Sequence, residues 1–254
     1  MITHPAIAGI PLVLGGNVFG FTADLDASFA VLDAFYECGG RMIDTADVYS
    51  AWVPGHKGGE SETVLGKWFA ASGKRGERRL HTKTGMLGGA ELYEPARILT
   101  SLDASLERLQ SDYVDLYYAH RDYEELAVGD IVSAFNGAVQ TGKVRSLGAS
   151  NFTAERLAAA LDAATEQGAM AFSVLQNEYN LVSREAYGAE LQELCTGRSI
   201  PMLPFFGLAS GFLTGKYRTE ADLGKSVRGQ RMTKLIETGR PMLEALDAVV
   251  RETG

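Results

Sequence analysis

Four residue types that can work together on a carbonyl are spread along the chain at regular distances. Asp44 closes the apolar run "RMID" and Tyr49 follows five residues later. Lys83 closes "RLHTK", and His120 closes "DYVDLYYAH". A phenol is a poor acid at neutral pH, its pKa lying near 10. A nearby ammonium favours the phenolate and lowers that value, and a carboxylate holds the ammonium in place. Bringing the phenol down to neutrality takes about 4 kcal/mol of differential interaction, which a close charge in a partly dry site can supply. Histidine can orient the carbonyl oxygen or share the proton. Such a set protonates oxygen while hydride reaches carbon, and the hydride must come from a cofactor because no side chain supplies one.

The elements that must position these groups are short apolar runs alternating with helix-like segments. The runs are "IPLVLGG", "RMID", "RLHTK", "DYVDLYYAH", "VRSLGASN", "FSVLQNEY" and "IPMLPFF", several of them apolar on both faces as buried parallel strands are. Helices are expected over "DLDASFAVLDAFYECGG", over "EPARILTSLDASLERLQ" with Ile98, Leu102, Leu106 and Leu109 as its apolar stripe, and over "FTAERLAAALDAATEQG" between Thr153 as N-cap and Gly168 as stop. A last helix, "GRPMLEALDAVVRETG", is expected to bury Leu243, Leu246 and Val250. The residues just past successive runs, Asp44, Lys83, His120, Asn151, Gln176 and Phe205, are 39, 37, 31, 25 and 29 positions apart. Roughly 30 residues is one βα unit of a (β/α)8 barrel, and the C-terminal rim of its strands is where active sites form. A doubly wound open sheet is the alternative. It would want Gly-x-Gly-x-x-Gly after the first strand, where "GGNVFG" stands instead.

The remaining composition is compatible with this. The chain has 254 residues, 46% hydrophobic and 22% charged, with a formal net charge of −8. That sign argues against nucleic acid and anionic membranes as partners. Two cysteines, Cys38 and Cys195, read as buried helix residues, so a reducing, cytoplasmic setting is expected. The N-terminus lacks the pattern of a signal peptide, and no run of 18 apolar residues occurs. His81 alternates with Lys83 and reads as core, and His56 reads as solvated. Glu60 and Glu62 suit a helix start. Trp52, in the long loop after Tyr49, reads as a lining of a substrate site. No metal ligands are assigned.

The segments "LGGNVFG", "MIDTADVYS", "GGESETVLGKW", "TKTG", "SLDASLERLQSDYVDLYYAH", "GKVRSLGASNF", "QNEYN" and "LASGFLTGKY" run in order from residue 12 to residue 217. In these the chain resembles the aldo-keto reductases, in the branch that includes potassium-channel β subunits and bacterial oxidoreductases. The resemblance implies a single (β/α)8 barrel domain over residues 1–254 and NADPH-dependent reduction of an aldehyde or ketone. It implies Tyr49 as general acid, Lys83 and Asp44 tuning it, and His120 orienting the carbonyl. Ser150, Asn151 and Gln176 would hold the nicotinamide carboxamide, and Gly16, Asn17 and Val18 would line the reactive ring. Phe205 would offer its π face to that ring, where the family often has Tyr. Leu208, Ala209, Ser210 and Gly211 would wrap the pyrophosphate with Lys216 adding charge, and Arg228 would meet the 2′-phosphate.

Counted against the family, seven strand runs are present, and the last strand and helix are missing from the C-terminus. A fragment that folds poorly alone or holds cofactor weakly is therefore expected. A non-catalytic, cofactor-binding partner protein of the channel β-subunit type is the competing function. From chemistry alone, a rim lysine could also form a Schiff base.

Overall fold

The computed structural model describes residues 4–253, in two compact units. One takes the chain up to Gln176 together with Glu193–Leu203; the other takes Asn177–Gln192 and the chain from Pro204.

The first unit is a parallel α/β fold. Its strands are β1 (Val13–Gly15), β2 (Met42–Asp44), β3 (Arg79–Thr84), β4 (Leu116–Ala119), β5 (Leu147–Ser150) and β6 (Phe172–Gln176). They form one sheet in sequential order, every neighbouring pair parallel. Between them run α1 (Leu25–Glu37), α2 (Glu60–Ser72), α3 (Pro95–Leu109), α4 (Val128–Gln140) and α5 (Ala154–Gln167), each packed against the next. This is the wall of a (β/α)8-type barrel, six strands of it.

One hydrogen bond shows how far the sheet curls. Gln176 on β6 donates to Asp44 on β2 at 3.2 Å. Four strand spacings separate those strands, about 19 Å in a flat sheet, so only a closing wall brings the side chains together. Inside the curve a glycine is required at Gly148, where a Cβ would lie 2.4 Å from the ring of Tyr118. Outside it, Tyr117, Phe135, Phe172 and Phe152 form a chain of tilted and edge-on rings, and the expected stripe Ile98, Leu102, Leu106 and Leu109 is buried.

Local signals set the helix ends. Asp24 caps α1 by accepting from the N–H of Ala27, and Thr153 caps α5 through Arg156. Gly168 ends α5 in the left-handed region, as expected. Cys38 is instead exposed, because α1 ends at Glu37 and leaves it as the C-cap, whereas Cys195 is buried as expected.

The seventh run differs from its expectation. "IPMLPFF" forms no continuous strand; it makes two isolated parallel bridges, Met202 to Leu175 in the first unit and Phe205 to Glu178 in the second, and Leu203 packs against Leu116, Tyr118 and Val174. Leu203 and Phe205 donate their N–H groups to the carbonyls of Leu175 and Asn177, while Pro201 and Pro204 have none to give. Among the described residues, β1 is the other edge of the sheet.

After α5 comes α6 (Ala189–Gly197), and the second unit then has α7 (Thr233–Thr238), α8 (Arg240–Thr253) and several short 3-10 turns. Its core is Ala209, Phe212, Tyr217, Met232, Ile236 and Leu243, with Leu246 packed at the margin. Arg218 grips Asp247 of α8 through two hydrogen bonds of 2.7 and 2.8 Å. Val250, expected in the core, is 63% exposed. Spacing defines an apolar face of a helix, but the cluster covers only its first two turns.

Candidate active site

The first unit gathers the catalytic candidates at the C-terminal ends of its strands. Asp44 is the last residue of β2 and Lys83 the fifth of six in β3; His120 follows β4 directly. Beyond β2 the chain stays tied to β3. Thr45 donates its N–H to the carbonyl of His81, and Asp47 donates its own to the carbonyl of Lys83. Thr84 adds a hydroxyl bond to the Asp47 carboxylate at 2.7 Å. This ladder carries the chain over Lys83 and delivers Tyr49 to it.

Lys83 is fully buried and uses all three ammonium protons. It donates to Asp44 Oδ2 at 2.5 Å, to the carbonyl of Thr45 at 2.8 Å and to the hydroxyl of Tyr49 at 3.0 Å. Burial works against the charge, but Asp44 and Tyr49 outweigh it and hold the lysine pKa above its ordinary value. The other oxygen of Asp44 accepts from Gln176, so this carboxylate is fixed from both sides.

The phenol departs from its expected direction. Burial raises the pKa of Tyr49, and the ammonium of Lys83 offsets this only in part. Asp44 and Asp47 raise it further. Tyr49 therefore holds its proton at neutral pH. Composition of the neighbourhood shows in a sequence; the cost of taking an anion out of water there does not.

His120 is 7% exposed, with its ring 6.0 Å from that of Tyr49, centroid to centroid. Burial, assisted by the ammonium of Lys83, holds its pKa well below the usual imidazole value. It is a neutral ring at neutral pH, and its Nδ1 is buried with no hydrogen-bond partner. Asn151 donates to the carbonyl of His120 at 3.0 Å and to Ser150 Oγ at 3.1 Å. Gly16 donates its N–H to the carbonyl of Asp44 at 2.7 Å, and Asn17 and Val18 follow it half-buried. Trp52 is 47% exposed and edge-on to Tyr49 at 5.9 Å. The structure thus brings together Asp44, Tyr49, Trp52, Lys83, His120, Ser150, Asn151, Gln176 and Gly16.

Phe205, Leu208–Gly211, Lys216 and Arg228 belong to the second unit. There Ala209, Ser210 and Gly211 take three successive positive φ values of 47°, 55° and 98°. A Cβ on Gly211 would lie 3.1 Å from the ammonium of Lys216, so glycine keeps space open in front of that charge. Phe205 lies edge-on to Phe206 at 5.2 Å, and Arg228 is half-buried.

Three acids had no specific role foreseen. Asp47 is buried, its Oδ1 has no partner, and burial pushes its carboxyl up to about 7. Glu62 is fully buried and paired with Arg108 at 2.7 Å while accepting the hydroxyl of Thr82. Glu60 accepts three backbone N–H groups. Two of these acids do start a helix as expected, but no local pattern separates such acids from solvated ones. His81 is core, as expected, donating Nε2–H to the carbonyl of Ala6 at 2.8 Å. His56 is half-buried and lies 3.2 Å from the hydroxyl of Ser50.

Comparison with known proteins converges on one family. The aldo/keto reductase family profile matches residues 11–254. The chain is 30% identical to norsolorinic acid reductase B of Aspergillus parasiticus over 264 residues, covering 96% of this chain and 66% of that protein. It is 32% identical to the uncharacterized oxidoreductase YrpG of Bacillus subtilis, covering 96% of this chain and 75% of that one. A crystal structure described as a putative 2,5-diketo-D-gluconic acid reductase B shares the fold with a TM-score of 0.63, at 22% identity over 78% of this chain and 62% of that one. The chain thus spans just under two thirds of the fungal reductase and of that solved chain. The chain belongs to the aldo/keto reductase family.

Proposed function

We propose that this chain reduces an aldehyde or ketone to an alcohol, with NADPH as donor and Tyr49 as general acid. The observation that carries the proposal is the direction of the bond between Lys83 and Tyr49. An ammonium only donates, so the bond at 3.0 Å occupies a lone pair of the phenol and leaves its O–H to point elsewhere. A carbonyl oxygen placed there receives that proton. The phenolate left behind sits beside a fixed cation, an attraction of roughly 5 kcal/mol at an effective dielectric near 20. Asp44 keeps the cation in place through both steps. His120, being neutral, is suited to orienting the carbonyl oxygen rather than to supplying its proton.

The dinucleotide supplies hydride to the carbonyl carbon when bound. The donor chemistry of both units fits such a group. In the first unit Ser150, Asn151 and Gln176 offer hydroxyl and amide groups suited to a carboxamide, with Gly16, Asn17 and Val18 nearby in the same unit. In the second, the turn at Leu208–Gly211 and the ammonium of Lys216 suit a pyrophosphate, Arg228 suits a 2′-phosphate because its planar fork pairs with phosphate oxygens, and Phe205 offers an aromatic face. The name of the fungal relative, norsolorinic acid reductase B, supports the reaction class. The domain reading as one barrel over residues 1–254, the small-molecule carbonyl partner and the cytoplasmic setting belong to the same proposal; no helix among the described residues is long and apolar enough to cross a membrane.

The Schiff-base alternative loses support from Lys83 itself, whose three protons are engaged and whose charge is held. NADPH oxidation across a panel of aldehydes and ketones tests the proposal. Turnover dependent on the carbonyl supports it; tight NADPH binding with no turnover would favour the partner-protein reading.

A further inference from the structure

The loop between Tyr49 and α2 is fastened at both ends by one carboxylate. Glu60 accepts the N–H of Ser50 at 3.3 Å, of Lys57 at 2.8 Å and of Gly58 at 3.1 Å. Ser50 is the residue after Tyr49, and Lys57–Gly58 are where the loop returns to the helix. Between these points stands Trp52, edge-on to Tyr49 at 5.9 Å on one side and to Phe21 at 6.0 Å on the other. The hydroxyl of Ser50 adds a longer tie to the carbonyl of Gly20, next to Phe21. Gly58 has a φ of +95°, and a Cβ there would lie 2.6 Å from the carbonyl of Asp47 and 2.9 Å from Leu87. The loop is therefore held in one course by contacts at its base, while its aromatic residue remains 47% exposed beside the phenol.

We infer that Glu60 is a positioning residue for specificity: its carboxylate clasp holds Trp52 as a wall beside Tyr49, against which the planar, apolar group of an aromatic carbonyl substrate packs. The inference rests on Tyr49 being the acid at the carbonyl. Ser50 is fully buried, so loss of the anionic acceptor leaves its N–H without a partner, which is unfavourable for a buried donor. The loop relieves that cost by moving, and Trp52 moves with it. An amide at position 60 replaces the clasp only in part: Oε1 serves Lys57 and Oε2 serves Ser50 and Gly58, so one of these sets must face its NH2 group. Aromatic packing of the kind Trp52 offers adds to the area it buries, which grades substrates without touching the chemistry.

The test compares wild type, Glu60→Gln, Trp52→Ala and the double variant, with Glu60→Asp replacing Glu60→Gln should that variant fail to fold. Two readouts are taken. Acrylamide quenching of tryptophan fluorescence reports Trp52, because the other tryptophan, Trp68, is 1% exposed. Steady-state kinetics compare benzaldehyde with propanal. Glu60→Gln is expected to increase quenching and to raise KM for benzaldehyde roughly tenfold, with kcat for benzaldehyde within about threefold of wild type. Benzaldehyde-over-propanal discrimination is expected to fall equally in Glu60→Gln and Trp52→Ala, with no further fall in the double variant. Unchanged quenching with unchanged KM overturns the inference. So does an equal loss of kcat for both aldehydes, or additive losses in the double variant. If wild type turns over no carbonyl, the functional reading and the specificity role fall together, and the quenching result still decides whether Glu60 holds Trp52.

Discussion

The ammonium of Lys83 stands 3.0 Å from the hydroxyl oxygen of Tyr49. Its other two protons go to Asp44 and to the carbonyl of Thr45, so the phenol is held as an acceptor and its proton is left free to give.

Breaking the buried pair has a stability consequence. Lys83→Met leaves Asp44, 7% exposed, without its cation, and removing one partner of a buried pair costs about 3–5 kcal/mol. Urea unfolding of Lys83→Met, Asp44→Asn and the double variant checks this. The double variant is expected to lose less than the two singles added together, because they share one interaction. Turnover is expected to drop by roughly a hundredfold or more in Lys83→Met, as the phenolate loses its stabilising charge.

Asp47 makes stability fall as pH rises. Its carboxyl is pushed up to about 7 in the folded chain by burial, against about 3.9 when unfolded. A raised acid contributes stability in full below the unfolded pKa and loses it as pH climbs through the folded one. The groups around it do not remove the effect: the hydroxyl of Thr84, Arg108 and the N–H of Val48 favour its ionisation and Glu62 opposes it, but burial outweighs them. Asp47→Asn keeps an acceptor for Thr84 and removes the titration. Melting of the two proteins at pH 5.5 and pH 8.5 is expected to show the Asn variant gaining about 1–3 kcal/mol relative to wild type at the higher pH. An equal difference at both pH values would contradict this.

His81 acts at the acid end. Its Nε2–H is spent on the carbonyl of Ala6, its Nδ1 is buried without a partner, and burial lowers its pKa. A depressed imidazole contributes stability above about pH 6.5 and loses it as pH falls through the range between unfolded and folded values. Below pH 6.5 the unfolding free energy is expected to slope by up to about 1.4 kcal/mol per pH unit on account of this group. His81→Gln, followed by urea unfolding from pH 7.5 to pH 5, is expected to flatten that slope.

Much of this site could be read before folding, and the reason is periodic. Asp44, Lys83, His120, Asn151 and Gln176 each follow or close an apolar run at barrel spacing, so their strand ends were visible in the chain itself. What escaped lies off that grid. Asp47 sits in a loop with no periodicity and Glu60 opens α2, and only the folded chain shows which donors face them. The direction of the Tyr49 pKa shift is set by burial rather than by the nearby lysine, and that burial is not written in the sequence. Val250 lies on the apolar stripe of α8, yet a stripe states which face is apolar and not what covers it. "IPMLPFF" has strand composition, but it is held by two isolated bridges rather than a continuous ladder.

The most direct measurement is made on Tyr49→Phe, with NADPH affinity followed by fluorescence titration and carbonyl reduction followed by NADPH oxidation in the same preparation. The variant keeps the ring edge against Trp52 and loses only the hydroxyl. The expected result is an NADPH affinity within about threefold of wild type and a fall in kcat of roughly a thousandfold or more, the order of losing a positioned acid. Near-normal turnover in Tyr49→Phe would contradict the assignment of Tyr49 as the acid.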